Sequence, residues 1–163
     1  MAKALRKVSR FDVPVDRLLS AVTDPELVKG HVRPGTSAGT SVREVSNDGK
    51  RLVQELISQE YARTMTGGLD KSKTERSVTS YDWDLPALRC TWSWKGGSSE
   101  RVRIAGRIAL RSAGTGCELD SEFEFEVKVP LMGGVIEKMI AGEIEADLPR
   151  FDALVREHLA RKA

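Results

Sequence analysis

Two carboxylates flank a tryptophan in the segment Tyr81-Asp82-Trp83-Asp84, just before Leu85-Pro86 interrupts the chain. Carboxylates this close together can exchange a proton with a substrate or ligate a hard metal ion. An Asp-x-Asp pattern at the end of a strand is a weak signal, however, and no histidine lies nearby, so a solvated turn is the simpler interpretation. If Tyr81 or Asp82 faces an interior space, it is the best polar anchor for a ligand there.

The two histidines belong to no recognisable catalytic group. His31 follows Gly30 at the end of a predicted helix, where we expect an exposed side chain, and His158 lies on the apolar side of the last helix, where we expect a partly buried packing residue. The sequence contains no Gly-x-Ser-x-Gly elbow, no His-Glu-x-x-His zinc motif, no Walker loop and no dinucleotide fingerprint. It therefore predicts no catalytic residue, no metal site and no cofactor.

The composition is that of one globular domain spanning residues 1–163. Of these residues, 40% are hydrophobic and 31% are charged, with a net charge of +2. The basic residues of 101–111 are answered by the acids of 118–126, which argues against nucleic-acid binding. No run is apolar enough for stable membrane insertion, and the N-terminus has no signal-like core, so we expect a cytoplasmic protein. Cys90 and Cys117 fit no metal motif and are expected to be buried free thiols.

The elements that must position these residues are mostly strands. A first strand at about Ala4–Asp12 is followed by two short helices, the second opening with the N-cap signature Asp24-Pro25-Glu26. Asn47-Asp48-Gly49 predicts a hairpin turn. The remaining strands are predicted at about Thr40–Val45, Arg51–Gln59, Lys73–Trp83, Leu88–Lys95, Arg101–Ser112 and Cys117–Val129.

The chain ends in a long amphipathic helical pattern. Its apolar stripe runs from Met132 to Leu159 without losing phase, and Pro149 is expected to kink this helix or divide it in two. Such a helix, placed directly after the last strand, must cover the apolar face that the strands share. The sequence therefore predicts an α+β helix-grip fold, in which a curved antiparallel sheet wraps around the C-terminal helix.

The register of the last two strands follows from their alternation. With residues 113–116 as a loop, Arg111 pairs with Glu118, and further along the sheet Arg107 pairs with Glu122 on the outer face. The inner face then carries three further pairs, which are Val102 with Val127, Ile104 with Phe125 and Gly106 with Phe123. A glycine in mid-strand predicts a bend there, with an opposed aromatic ring covering the gap.

The inward side chains form an apolar, aromatic surface. A filled core is the commoner use of any one such residue, but the group as a whole favours some cavity. The candidate lining residues are Trp92, Trp94, Ile104, Ile108, Phe123, Phe125, Met132, Ile136, Met139 and Ile140.

This order of elements resembles the START-type helix-grip (SRPBCC) superfamily, which includes birch-pollen-allergen-like proteins and polyketide cyclases. The junction Val127-Lys128-Val129-Pro130-Leu131-Met132-Gly133-Gly134 is similar to that of a bacterial domain family of unknown function with a V-K-V-P-L-x-G-G motif. The resemblance implies a cavity between sheet and helix that holds a lipid, an aromatic molecule or a polyketide-like molecule. It implies no catalytic residue, because the superfamily shares none.

Three functions remain open at this point. The favoured one is binding, or carrying, a small hydrophobic molecule in an internal cavity. The second is an enzyme of the cyclase or dehydratase type, in which Tyr81, Asp82 or a buried arginine moves a proton. Two or more convergent polar groups in the cavity would favour it. The third is a protein-interaction module, which a filled interior and an exposed apolar patch would favour. Nothing in the sequence decides the oligomeric state.

Overall fold

A computed structural model describes residues 3–64, 68–97 and 100–161, and these form one antiparallel sheet with three helices. The strands are β1 (Lys3–Phe11), β2 (Ser37–Asn47), β3 (Arg51–Arg63), β4 (Leu69–Asp84), β5 (Arg89–Lys95), β6 (Val102–Ala113) and β7 (Gly116–Val127). The helices are α1 (Val15–Thr23), α2 (Pro25–Lys29) and α3 (Gly133–Arg161). The predicted helix-grip architecture is confirmed, and each strand lies within a few residues of its predicted position.

The strand order is β1-β7-β6-β5-β4-β3-β2. Because all neighbours are antiparallel, the turns β2–β3, β4–β5 and β6–β7 lie at one end of the sheet, together with the connection from β1 to α1. We call this the helix-capped end, since α1 and α2 follow there. The connections β3–β4, β5–β6 and β7–α3 lie at the other end, which we call the open end. Helix α3 therefore begins at the open end and runs to the helix-capped end.

The helix-capped end holds the densest packing. Leu18 and Ala21 of α1 and Val28 of α2 are almost fully buried, and Phe11 and Cys117 are buried beside them in the same apolar cluster. Helix α2 begins as predicted, because the Asp24 carboxylate accepts a hydrogen bond of 3.0 Å from the amide of Glu26 and proline occupies the first helical position. Burial of these apolar side chains fixes α1 and α2 on the sheet, with the larger ones, Phe11, Leu18 and Val28, contributing about 1.5–3 kcal/mol each.

The register predicted for β6 and β7 is confirmed at every pair. Arg111 lies opposite Glu118, Arg107 opposite Glu122 and Val102 opposite Val127. The strands extend further than expected, since Ala113 pairs with Gly116 and leaves a two-residue turn in which Gly114 has a φ of +59°. Glycine suits such a turn, because a side chain at positive φ would be strained.

Position 106 has no room for a side chain, so it requires glycine. A Cβ at this position would lie 2.3 Å from the Glu122 carbonyl oxygen and 2.5 Å from the indole of Trp92. The ring that covers the glycine is thus Trp92 of β5, whereas the sequence pointed to Phe123 of β7. Trp92 and Phe123 meet edge to face, with centroids 5.7 Å apart. On the outer side of Gly106 the sheet has a pocket of about 210 Å³.

Helix α3 continues through Pro149 without a break. Proline has no backbone N–H, so the carbonyl four residues before it receives no hydrogen bond within the helix. Because Pro149 is exposed, this carbonyl lies on the solvent side of the helix. In the part of the chain that the structure describes, no helix is both long enough and apolar enough to cross a membrane.

Candidate functional site

The candidate site is the inner face of the central strands. Alternation along each strand turns Tyr81, Trp92 and Phe123 to this face, and the register brings Tyr81 opposite Trp92. Trp92 and Phe123, together with Trp94, Ile104 and Ile108, are only half-buried, although they lie on the concave side of the sheet. These side chains therefore border accessible space, although Trp92 and Ile108 also pack against the core.

Helix α3 leaves that space open. It packs against β7, β1, α1 and α2, while its contacts with the central strands β3–β6 are sparse. The solvent-accessible surface of the protein is 9706 Å², whereas a compact chain of 18.0 kDa is expected to expose about 8,000 Å². We call the space between α3 and the inner face of β4–β6 the groove; beside it, the inner-facing residues Leu52, Gln54 and Leu56 of β3 are buried. The excess surface is shared between this groove and the edge strand β2, most of whose residues are exposed.

A row of aromatic rings crosses the groove from helix to sheet. The imidazole of His31 stacks on Phe151 of α3 at a centroid distance of 4.4 Å and faces the Tyr81 ring at 5.5 Å. Tyr81 in turn lies 6.4 Å from Trp92, which contacts Phe123. The short helix α2, which ends at Gly30, positions His31. The row joins the end of α2, helix α3 and strands β4, β5 and β7 into one wall.

His31 and Tyr81 are the polar members of this row. Burial lowers the pKa of His31 to about 4, with Arg150 adding to the shift, so the imidazole is neutral at pH 7. Burial also raises the pKa of the Tyr81 hydroxyl, which stays protonated. In the described structure neither side chain has a hydrogen-bond partner, and their polar atoms are not sealed from solvent. Both are therefore free to bond to a molecule in the groove.

An ion pair lies on the helix beside His31. The Arg150 guanidinium donates two hydrogen bonds to the Asp147 carboxylate, at 2.6 and 2.9 Å, and both side chains are mostly buried. The Arg150 charge lowers the pKa of His31, and the Asp147 charge raises it by less. At the open end Glu143 of α3 pairs with Arg63 of β3, which ties the helix to the far side of the groove.

The structure separates the two proposed polar anchors. Tyr81 faces the groove, whereas Asp82 points to the outer face and accepts hydrogen bonds of 2.8 and 2.6 Å from Arg51. Asp82 as an interior anchor is therefore wrong, because successive strand residues point to opposite faces. Arg51 also lowers the pKa of Asp82, as expected for a solvated, paired carboxylate.

The start of α3 differs from its predicted orientation. Ile136 and Ile140 are half-buried, as a helix facing the groove requires, but Met132 and Met139 are exposed and do not line it. The buried position belongs to Glu137, whose carboxylate accepts a hydrogen bond of 3.2 Å from the amide of Val127. This polar contact sets the rotation of the first helical turns, and hydrophobic periodicity alone does not reveal it.

Phe125 also departs from the candidate list, because it is almost fully buried. It belongs to the packed core, whereas its neighbour Phe123, two residues earlier on the same face, borders the groove. Sequence reasoning missed His31 altogether as a site residue and placed it in solvent. The sequence shows only that His31 follows the end of a predicted helix. That position does not indicate which distant strands and helices approach His31 in the fold.

His158 occupies a different place, at the helix-capped end. Its Nε2 lies 2.7 Å from the Asp24 carboxylate, and Arg17 donates a hydrogen bond of 2.9 Å to the Leu159 carbonyl beside it. These residues border a surface pocket of about 390 Å³ between α1 and the end of α3, outside the groove. His158 is buried, as predicted, and it joins the end of α3 to α2. The cysteines are buried free thiols, also as predicted.

The chain has the Bet v 1-like helix-grip fold. It belongs to the protein family of unknown function DUF2505, whose model matches residues 7–159. A search of curated protein sequences finds no match.

Solved structures with the same fold are distant in sequence. A protein from Thermus thermophilus has a TM-score of 0.67 at 16% identity, with 99% of each chain covered. Norcoclaurine synthase from Thalictrum flavum has a TM-score of 0.65 at 17% identity, covering 97% of this chain and 96% of that one. The ZhuI aromatase/cyclase from Streptomyces sp. R1128 has a TM-score of 0.59 at 12% identity, covering 99% and 93%. Similarity at this level establishes the shared fold.

Proposed function

We propose that this protein binds a small hydrophobic molecule with an aromatic or polyketide-like ring system in the groove. The observation that carries the proposal is the row of His31, Tyr81, Trp92 and Phe123, in which Tyr81 is buried and the other three side chains are half-buried. Large apolar side chains left partly accessible on a concave surface gain free energy when a ligand covers them, at roughly 25 cal/mol per Å².

The polar atoms in the row support a ligand that is not purely hydrocarbon. A neutral imidazole both donates and accepts one hydrogen bond, and a tyrosine hydroxyl does the same. The ligand best suited to them has an aromatic body and at least one hydroxyl or carbonyl group. One of the similarly folded proteins is named an aromatase/cyclase, and another, norcoclaurine synthase, has been crystallised with dopamine and hydroxybenzaldehyde.

The test begins with native mass spectrometry of the purified protein, compared with its denatured mass, followed by extraction of whatever co-purifies. We expect an additional mass that is lost on denaturation, or, if the protein is empty, a member of an aromatic and lipid panel that raises its thermal stability. Absence of both results would contradict the proposal.

Two neighbouring positions on one strand provide a matched pair of variants. Trp92→Ala removes a groove wall and is expected to weaken binding at least tenfold. Thr91→Ala alters the adjacent residue, which faces the outer side of β5 and should leave binding unchanged. Equal losses in both variants would mean that binding is not in the groove.

A second function, acid–base catalysis on the bound molecule, is favoured by the convergence of His31 and Tyr81. The neutral imidazole would accept a proton from carbon or oxygen, and the protonated tyrosine would donate one to a developing oxyanion, as an enolisation or dehydration requires. Tyr81→Phe and His31→Gln are expected to keep binding within a few fold and to abolish conversion of the bound molecule, followed by mass spectrometry. If the wild type and both variants yield the same unchanged molecule, catalysis is contradicted and only the binding function remains.

A further inference from the structure

Exposed apolar side chains are concentrated at the start of α3. Leu131, Met132, Val135 and Met139 are 102%, 50%, 61% and 42% exposed, and among the described residues only Val8 and Val45 are comparable large hydrophobic residues. Met132, Val135 and Met139 are spaced three and four residues apart, so they share one side of the helix. We call these four residues the apolar rim.

Leu131 is the most unusual of the four. Its φ is +67°, a left-handed conformation that is strained for a bulky residue, and its side chain gains no packing in return. The turn is held by its neighbours, since the amide of Met132 bonds to the Pro130 carbonyl at 2.8 Å and that of Gly133 to the Val129 carbonyl at 2.9 Å. The backbone thus holds an apolar side chain out into solvent.

The apolar rim lies at the open end of the groove. It directly follows β7, and the amide of Lys128 bonds to the Arg101 carbonyl at 2.7 Å, which places the β5–β6 connection beside it. Helices α1 and α2 close the other end, so the open end is the route by which a molecule reaches the aromatic row. The exposed apolar surface and the entrance are therefore on the same side of the protein.

The exposed charges around the apolar rim are mostly positive. From residue 128 to residue 142 the charged side chains are Lys128, Glu137 and Lys138, and both lysines are exposed whereas Glu137 is buried in its bond to Val127. In the β5–β6 connection beside Lys128, Arg101 and its neighbour Glu100 are both exposed, so Lys128 and Lys138 carry the excess positive charge. Apolar side chains flanked by lysines match the acyl boundary and anionic headgroups of a lipid bilayer. A second copy fits less well, because a two-fold contact through this face would bring the lysines of both copies together.

We propose that the apolar rim docks on an anionic membrane surface and brings the open end of the groove to the lipid interface. The docking is peripheral: the four side chains enter the headgroup region while the lysines contact lipid phosphates. It goes beyond ligand binding in the groove, since the surface and its charges are outside that site. It also gives a groove with an apolar interior a place to acquire a poorly soluble molecule.

The test is co-flotation of the full chain with vesicles of 30% phosphatidylglycerol in phosphatidylcholine, compared with pure phosphatidylcholine. We expect binding to the anionic vesicles, at least tenfold weaker on the neutral ones and reduced by salt. The double variant Leu131→Glu, Met139→Glu should lose binding at least tenfold. Lys128→Gln and Lys138→Gln should each weaken it roughly fivefold.

Val45 provides the control, since it is 49% exposed on β2, away from the apolar rim. Val45→Glu should bind the anionic vesicles as wild type does. All of these positions are exposed, so circular dichroism and thermal unfolding should show folded variants. No binding by wild type, equal loss in Val45→Glu, or a concentration-dependent dimer that Leu131→Glu, Met139→Glu abolishes would each overturn the proposal. Ligand retention in the groove is measured separately and can fail or succeed independently.

Discussion

At the helix-capped end, Leu18, Val28 and Phe11 interlock until almost none of their surface is accessible, whereas at the open end Trp94 and Ile104 are half-buried and Leu131 is entirely exposed. The same sheet forms both ends. The difference is that α1 and α2 fill the space above one half of the strands and only α3 passes over the other. The helix-capped end thus holds the more deeply buried apolar side chains, and the open end retains accessible apolar surface.

A pair of truncations tests this division most strongly. Leu18→Ala removes a fully buried side chain from α1 and should lower the free energy of unfolding by about 3–4 kcal/mol. Ile104→Ala removes a half-buried side chain at the open end and should cost about 1–2 kcal/mol, because part of its surface is already hydrated. Urea unfolding measures both. Equal costs would show that the two ends are equally packed.

The second prediction concerns His31, which lies between the two ends. The folded protein binds a proton there with a pKa of about 4, against an ordinary value of 6.5, so protonation favours unfolding. Its stabilising contribution is complete above pH 6.5 and is lost as the pH falls towards 4, by roughly 2 kcal/mol after allowance for partial exposure. The variant His31→Phe, which cannot titrate, should lack this component. Parallel pH profiles for the two proteins would contradict the assigned burial.

A third test concerns the outer face behind the helix-capped end. Arg6 and Arg111 hold the pKa of Asp120 at about 2, below its ordinary 3.8, through hydrogen bonds of 2.6–2.9 Å. Because the folded pKa is lowered, the stabilisation is present above pH 3.8 and disappears as the pH falls towards 2. Asp120→Asn should lower stability at pH 7 by about 1–2 kcal/mol and flatten the profile in that range. Titration of Asp120 by NMR checks the pKa directly.

The smallest effects are expected from two adjacent glycines at the start of α3. A Cβ at Gly133 would lie 2.9 Å from the Val127 carbonyl oxygen, whereas one at Gly134 would meet no atom within 4 Å. Gly133→Ala should therefore lower stability by about 1 kcal/mol, and Gly134→Ala should raise it by up to about 1 kcal/mol through helix propensity. If both act as a hinge for ligand entry, both variants should instead slow ligand exchange per folded molecule.

Much of the fold is encoded locally and is therefore predictable. The alternation of arginine and glutamate on β6 and β7, with one apolar face each, allows a single register, because a shift by one residue would bury charges. Asp24-Pro25-Glu26 and Asn47-Asp48-Gly49 specify their helix start and turn through side-chain hydrogen bonds to nearby amides. These interactions span only a few residues.

The site is less predictable, because it depends on distances between elements. His31 lies in the aromatic row because the end of α2 approaches α3, which no local pattern specifies. Met132 and Met139 continue an apolar stripe, yet the bond from the Val127 amide to Glu137 turns them outward. The sequence leaves Tyr81 and Asp82 as alternative interior residues, and the choice between them requires the register of β4 against β3 and β5.

The pairing of β1 with β7 joins residues more than a hundred positions apart, such as Val8 with Asp120. During synthesis β1 therefore has no pairing partner until β7 has been made. At roughly 5–20 residues per second this interval is on the order of 10 s. Throughout that interval α1 has no β6 or β7 to cover its apolar side, so a nascent chain exposes the residues that later become the densest part of the core. Truncated chains that end before β7 are thus expected to bind chaperones. The sheet is completed only after most of the sequence has emerged from the ribosome.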